Sequence, residues 1–533
     1  MSVSKARNLG KVSAKGGFNL FWGLAASSVI SAIGVIIVGR VLSVEEMGIV
    51  SIALIAPNLI KTFRDLGIDQ ATIKYTAQYR AENKLGNVKQ IVAAETLFEI
   101  IIGSILSICS FLLSGFFATT IFNRPEIAPL IQIASLIIFA EAILKAAQVA
   151  FTGYEKMGLY SITMVIQSTV KTGLMVFLVV TGYGAYGATV GDTASYVIAG
   201  LLGIVMMYLM LYNKLEKQKS LQFFGTLKYM FKYGIPVSIA WTINAFLTQF
   251  YHFLLAIYCS DVIMGNYQVA LSFAVIVTFF VVPLSTILFP AFSKINAQKE
   301  LETLKSVFKS SVKYATLIVA PATCAVMALA KPAVSTIFGE KYELTPIYLA
   351  IYVSIYLYTA IGSLSANNLI NSQGRTEVNL KLTLITAAMG LSLSVILVPP
   401  FGVMGLLATY LTAGIPSTLL ALWWIKKNYD ASIDWSSSAK ILLSSTITAV
   451  ITHVSISQLE QANWILLIVG AIIFIAVYIV TAPMLNAVSK TDIQYLKEMV
   501  KSLGPLAPIL NIPLAIAEQI ANIFQRTEKS TQP

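Results

Sequence analysis

The chain has 533 residues, of which 57% are hydrophobic and 12% charged, and its mean hydropathy is +0.77. A soluble domain carries about 25% charged residues and roughly 45–50% apolar ones, so this composition cannot furnish a water-facing surface around one core. A soluble enzyme, a secreted disulfide scaffold and a disordered chain are excluded. Cys109, Cys259 and Cys324 lie far apart in apolar runs, and His252 and His453 have no HExxH, CxxC or triad-like company. No metal, cofactor or covalent catalysis is expected.

A helix needs about 20 apolar residues to cross a hydrocarbon layer of roughly 30 Å. That ruler places spans at 17–39, 46–66, 90–117, 127–151, 158–181 and 184–211. After a basic loop come 234–257, 264–290, 313–336, 345–370, 379–398, 402–425, 440–457 and 463–484. The expected fold is an all-α integral membrane protein of about fourteen helices. Arg40 and Glu45 directly follow the first span, which reads as a retained span and not a signal peptide.

The balance of 37 Lys+Arg against 25 Asp+Glu gives +12, which topology explains better than a nucleic-acid partner. Only Arg40, Arg124, Lys331 and Lys341 fall on one side of the expected spans, with Lys145 and Lys171 inside them. The other basic residues sit in the N-terminus, the even-numbered loops and the tail, which the positive-inside rule places in the cytoplasm. A multi-pass plasma-membrane protein with both termini cytoplasmic is expected. Residues 294–312 carry Ile295, Leu301, Leu304 and Phe308 at helical spacing among lysines, an amphipathic helix for the anionic inner leaflet. The tail from about 489 opens with a capping-box pattern, Ser489-x-x-Asp492, and a second amphipathic piece spans about 513–525.

An internal duplication is visible. MGIVSIAL from Met47 returns as MGNYQVAL from Met264, and Gly184 and Gly187 in GAYGAT return as Gly402 and Gly405 in GVMGLLAT. Both offsets cover six spans, an even number, so the copies share one orientation and describe parallel repeats. The expected layout is an N-lobe at 1–212, a cytoplasmic linker at 213–233 and a C-lobe at 234–425. An extra pair of spans at 426–485 and a cytoplasmic amphipathic tail at 486–533 follow.

Charges inside spans are costly and mark function by default. They concentrate in the first lobe: Lys61, Arg64 and Asp65, then Glu95 and Glu99, Glu141 and Lys145, Lys171, and Asp192. Glu141 and Lys145 are four residues apart and can pair. Lys61, Arg64, Lys145 and Lys171 suit an anionic substrate with a phosphate or pyrophosphate. For Asp65, Glu95, Glu99, Glu141 and Asp192 two readings stay open, neutralisation of neighbouring cations or coupling to an ion. Asn19, Asn244 and Gln249 supply polar partners of the kind a sugar path needs, or simply helix–helix hydrogen bonds.

The run GRVLSVEEMGIVSIALIAPNLIKTFRDLGIDQATIKYTAQYR (Gly39–Arg80) resembles the opening of polysaccharide and oligosaccharide flippases. These belong to the multidrug/oligosaccharidyl-lipid/polysaccharide exporter superfamily. FTGYEKMGLYS, YGIPVSIAWTINAFLTQFYHFLL, FGEKY and NSQGRTEVNLKL, with the repeated GxxG, extend the resemblance over roughly residues 15–485. It implies two lobes that flip a polyprenyl-(pyro)phosphate-linked oligosaccharide to the outer leaflet by alternating access, with Arg64, Lys145 and Lys171 in a cationic cavity. Glycan-assembly enzymes are implied partners. The rival of the same fold is a cation-coupled multidrug or small-molecule exporter, although residues 16–39 lack the acid that such coupling would use. A polytopic glycosyltransferase or polymerase is disfavoured by the short outward loops.

Overall fold

In the computed structural model, the described residues are 3–215, 222–490, 492–494, 497 and 515–520, with side chains from residue 20 onward. Every regular element among them is helical: α1 (Val3–Val41), α2 (Val44–Lys61), α3 (Ile68–Ala81), α4 (Leu85–Phe116), α5 (Ala128–Gly153), α6 (Met157–Leu178) and α7 (Gly184–Met210). Then come α8 (Phe223–Tyr258), α9 (Asp261–Ser293), α10 (Leu301–Ala328), α11 (Ala330–Phe338), α12 (Thr345–Val353) and α13 (Ser363–Ser372). The last four are α14 (Thr376–Ala413), α15 (Ile415–Tyr429), α16 (Trp435–Ser457) and α17 (Asn463–Met484).

Among the described residues nine stretches are long and apolar enough to cross a membrane, and the bent pair Thr345–Ile361 and Ser363–Ser372 would make a tenth. Two of the nine, Met157–Lys214 and Thr376–Tyr429, contain 58 and 54 residues. At 1.5 Å per residue a straight helix of either length would be well over twice the hydrocarbon thickness. Both are bent, at Gly184 (φ 52, ψ −136) and Gly402 (φ 54, ψ −130). A side chain is strongly disfavoured at that backbone conformation. The two glycines that the duplication pairs therefore share one unusual geometry.

Contacts divide the chain into two units, Met1–Gln268 with Ser394–Leu406, and Val269–Leu393 with Leu407–Pro533. In the first, Ser43 and Glu46 form a reciprocal capping box at the start of α2, with bonds of 3.0 and 2.8 Å. Helices approach through small residues, as hydrocarbon demands where apolar burial drives no association. A methyl group added to Gly48 would lie 1.8 Å from the Asp261 carbonyl oxygen, and one added to Gly265 would lie 2.0 Å from that of Val44. These are the repeat-equivalent glycines of α2 and α9, each lying against the residue four before its counterpart. Ser51 donates to Gln268, again its counterpart, at 3.3 Å. Nearby, Arg124 donates to Asp261 Oδ1 at 2.6 Å and to the Ala256 and Cys259 carbonyls closing α8, at 2.8 and 2.6 Å. A cation at a helix C-terminus complements its dipole.

In the second unit Phe292, Leu304, Phe308, Leu369, Ile370 and Ile425 form a fully buried apolar cluster. This corrects the expected interfacial helix at 294–312. Helix starts only at Leu301 and runs unbroken through α10, and Leu304 and Phe308 turn into protein because that core offers them complete burial. Likewise α8 begins at Phe223, inside the stretch expected as linker. The capping box at Ser489 forms, the Asp492 carboxylate accepting the Ser489 N–H at 2.8 Å and the Ser489 hydroxyl accepting the Asp492 N–H at 3.2 Å. Of the second tail piece only 515–520 is described, and it is helical.

Lys305, Lys309 and Lys313 recur every fourth residue on α10 and meet Asp430, Asp434 and Asp492 at 3.0, 3.2 and 2.6 Å. Hydrogen bonds from Lys426 and Lys305 pull Asp430 down to about 2. The Ser437 N–H holds Asp434 low. Burial raises Asp492, but Lys313 and Ser489 outweigh it and leave it below the usual aspartate range. Groups depressed on folding stabilise above their unfolded value of about 4 and lose that contribution as pH falls through the folded value. The unfolding midpoint is therefore expected to drop as pH falls below about 4, less steeply in Asp492→Asn, in a thermal titration. Alanine at Gly48 or Gly265 is expected to cost at least the ~1–3 kcal/mol of an overpacked core, because the clashing atom is backbone. Thermal unfolding in detergent measures it, and an unchanged midpoint in both variants contradicts the contact.

Candidate functional site

The site begins where α2 ends. Lys61 is the last residue of that helix, and the turn through Arg64 and Asp65 reaches Gly67 (φ 86), which opens α3. Asp65 Oδ1 accepts the Asp69 N–H at 2.9 Å, satisfying one of the free amides at the start of α3. The turn thus delivers a cation and two carboxylates, Asp65 and Asp69, towards α4.

Three of the four expected cations meet acids on neighbouring helices. Lys61 Nζ lies 2.8 Å from Glu141 Oε2 on α5. Arg64 Nε lies 3.0 Å from Glu99 Oε2 on α4, with both side chains almost entirely buried. Lys171 on α6 lies 2.9 Å from Asp192 Oδ1 on α7, and Lys171 keeps about a quarter of its side chain exposed. The second and third contacts are ion pairs without hydrogen-bond alignment, so Glu99 and Asp192 keep buried oxygens without a hydrogen-bond donor. Glu141 pairs with Lys61 on α2 and not with Lys145 on its own helix. Lys145 is half-buried and forms no ion pair among the described residues.

Glu95 is fully buried one turn before Glu99. Its Oε2 accepts weakly from Thr96 at 3.4 Å and its Oε1 has no partner. One oxygen each from Asp65, Asp69 and Glu99 lies within 4.8 Å of the others. Burial, then the neighbouring Asp65, push Asp69 well above the usual aspartate range, against the pull of Arg64. Sequence reading missed Asp69 by ending the second span at residue 66. The four-residue spacing from Asp65 was the available signal. The polar residues do not gather here. Asn244 is exposed on α8 and donates to the Ala240 carbonyl at 3.0 Å, Gln249 is half-buried on the same helix, and the side chain of Asn19 lies outside the described residues.

Buried ion pairs are poor stabilisers, since desolvation consumes most of their attraction, yet breaking one leaves a stranded charge. An arrangement of cations already matched by carboxylates can receive an anion by exchange, the incoming oxygens replacing carboxylate oxygens.

The chain matches the family described as polysaccharide biosynthesis protein over residues 37–346, and that of the lipid II flippase MurJ over 246–477. An uncharacterized membrane protein of Methanocaldococcus jannaschii is 21% identical over 387 residues, covering 69% of this chain and 75% of its own. The lipopolysaccharide biosynthesis protein WzxC of Escherichia coli is 23% identical over 423 residues, covering 75% and 78%. Among solved structures, the lipid II flippase MurJ in an inward closed conformation superposes with a TM-score of 0.71 at 15% identity, over 87% of this chain and 98% of that one. An inward-facing multidrug resistance MATE family transporter gives 0.62 at 14% identity, over 76% and 94%. Family match, relatives and fold agree: this multi-pass membrane protein belongs to the polysaccharide biosynthesis protein family, within the flippase and exporter superfamily that includes MurJ and MATE transporters.

Proposed function

We propose that the chain moves a polyprenyl-phosphate-linked or polyprenyl-pyrophosphate-linked oligosaccharide from the inner to the outer leaflet by alternating access, without covalent chemistry. The observation that carries this is the set of intramembrane cations Lys61, Arg64 and Lys171, each held by one acid, in a chain of the polysaccharide biosynthesis family. An empty site so arranged leaves none of these three cations unmatched. A diphosphate head group brings oxygens that arginine and lysine bind more strongly than a carboxylate with one misaligned contact. Lys145, free of ion pairs among the described residues, is the first contact for it.

The helices support fourteen crossings, taking α12 with α13 as one bent span and dividing α14 at Gly402. The shared geometry of Gly184 and Gly402 and the reciprocal contacts of Gly48 and Gly265 support two six-span repeats, with α16 and α17 as the added pair. The charge asymmetry supports cytoplasmic termini, and the reading places the chain in the plasma membrane. Anionic inner-leaflet lipids and glycan-assembly enzymes are the partners this reading assigns. The MATE-like fold keeps a second reading, a cation-coupled small-molecule exporter, in view.

In a glycan-export assay at matched expression, Lys145→Ala and Lys171→Ala are each expected to lower flux roughly tenfold or more. A charge-assisted hydrogen bond is worth about 1.5–3 kcal/mol. Undiminished flux in both removes the cationic site. Efflux of labelled drugs by a chain that leaves glycan export unaffected selects the second reading.

A further inference from the structure

Cations near the end of α3 find acids, Arg80 meeting Glu155 at 3.1 Å and Lys84 meeting Glu82 at 2.7 Å. Lys74, Lys228 and Lys232 do not. Each precedes a tyrosine, Lys74 in KYTAQYR on α3 and the other two in KYMFKY on α8. All three are exposed, and none forms an ion pair among the described residues. In place of a carboxylate Lys74 has rings. Its Nζ lies 3.6 Å from the centre of the Tyr233 ring and 5.0 Å from that of Tyr75. Such contacts hold an ammonium in place while leaving its charge unbalanced.

The rings form one cluster. Tyr75 stacks on Tyr229 with centroids 4.2 Å apart and on Tyr79 at 6.3 Å, and it meets Tyr233 edge-on at 5.7 Å. Under them Ile68, Ala71, Ile91, Ala94, Leu227 and Met230 are buried, where α3 packs on both α4 and α8. A methyl group on Gly67 would lie 2.2 Å from the Gly234 carbonyl oxygen, and one on Gly234 equally close to that of Gly67. The two backbones therefore touch beside Tyr233, at the turn that carries Arg64. Tyr75 is buried, whereas Tyr229 stays 42% exposed although Tyr75 covers one of its faces. An open ring thus stands beside an unmatched cation on a packed base.

We propose that Tyr229, Tyr233 and Lys74, with Lys228 and Lys232 at the rim, bind a sugar that carries a phosphate group. The electron-rich face of a phenol ring attracts the polarised C–H bonds of a sugar, and an ammonium gives phosphate oxygens charge-assisted hydrogen bonds. A bare phosphate would have no use for the rings, and an uncharged sugar none for the lysines. An interfacial aromatic belt accounts for exposed tyrosines one at a time, but not for four rings gathered beside one lysine. The positive-inside reading puts α3 and the start of α8 on the cytoplasmic side, so the ligand comes from there. A lipid-linked and a nucleotide-linked sugar share the recognised chemistry. Service as a first docking point, ahead of Lys61 and Arg64, rests on the flippase reading, whereas binding of a sugar phosphate does not.

The test uses the full chain in phosphatidylcholine nanodiscs, with glucose 1-phosphate and glucose as probes and saturation-transfer difference NMR as the reading. Saturation of the aromatic protons is expected to reach the ring protons of glucose 1-phosphate, and those of glucose more weakly. Lys74→Gln is expected to weaken glucose 1-phosphate binding about tenfold, the effect of losing one charge-assisted hydrogen bond. Tyr229→Ala is expected to remove most of the transfer and Tyr229→Phe to keep it, because the ring face and not the hydroxyl makes the contact. Unchanged unfolding midpoints in these variants of exposed residues separate lost binding from lost folding. Displacement of the probe by a polyprenyl-phosphate-linked glucose in the disc assigns the lipid-linked source, and displacement by uridine diphosphate glucose alone assigns the nucleotide-linked one. No transfer to glucose 1-phosphate overturns the site, as does transfer that survives both Tyr229→Ala and Lys74→Gln unchanged. Displacement by phosphatidylglycerol with no effect of Tyr229→Ala reduces the lysines to a lipid anchor and overturns it too. Glycan export plays no part in these readings, so failure of this site and failure of the flippase reading are separate results.

Discussion

Hydrocarbon supplies no counter-charge, and the first unit is organised by that fact. Lys61, Arg64 and Lys171 each find an acid on another helix, so charge matching and helix packing become one problem. Lys61 with Glu141 ties α2 to α5, Arg64 with Glu99 ties the following turn to α4, and Lys171 with Asp192 ties α6 to α7. A protein seeking stability alone would place apolar groups of similar volume at these points, since a buried pair seldom outperforms them. Retaining three such pairs in one unit is costly for stability, a cost that the proposed exchange with an anionic substrate would account for.

The second unit meets the same physics at the water's edge and reaches a different solution. Its lysine ladder on α10 is paired with aspartates whose partners are partly solvated, so its contribution is modest and sensitive to pH. Its interior is apolar, built on Phe292, Phe308 and their neighbours. The division of labour is thus chemical, with most of the buried charges among the described residues in the first unit and an apolar core in the second, where Asp492 is the buried exception.

Much of this was legible in the sequence because the bilayer imposes few options. Apolar length announced the helices, and Gly184 and Gly402, paired by the duplication, have backbone angles that agree within a few degrees. The intramembrane charges were visible one by one. What could not be read was their pairing, since a lysine at the end of one helix and a glutamate on another are joined only by packing. Glu141 illustrates this. Spacing along its own helix pointed to Lys145, and tertiary proximity gave it to Lys61. The stretch at 294–312 failed for a related reason, because an amphipathic pattern reports that one face is buried without saying whether lipid or protein buries it. Asp69 lay just past the expected membrane edge, where a charged residue attracts no notice.

The crossing of α2 and α9 joins two repeat-equivalent segments. Gly48 rests on the residue four before Gly265, and Gly265 rests on the residue four before Gly48, while Ser51 bonds Gln268. Each partner presents the same patch to the other. That is the rule of an isologous interface, the kind two identical subunits make about a two-fold axis. Two segments that the duplication pairs therefore meet as equivalent surfaces on two copies of one chain would meet.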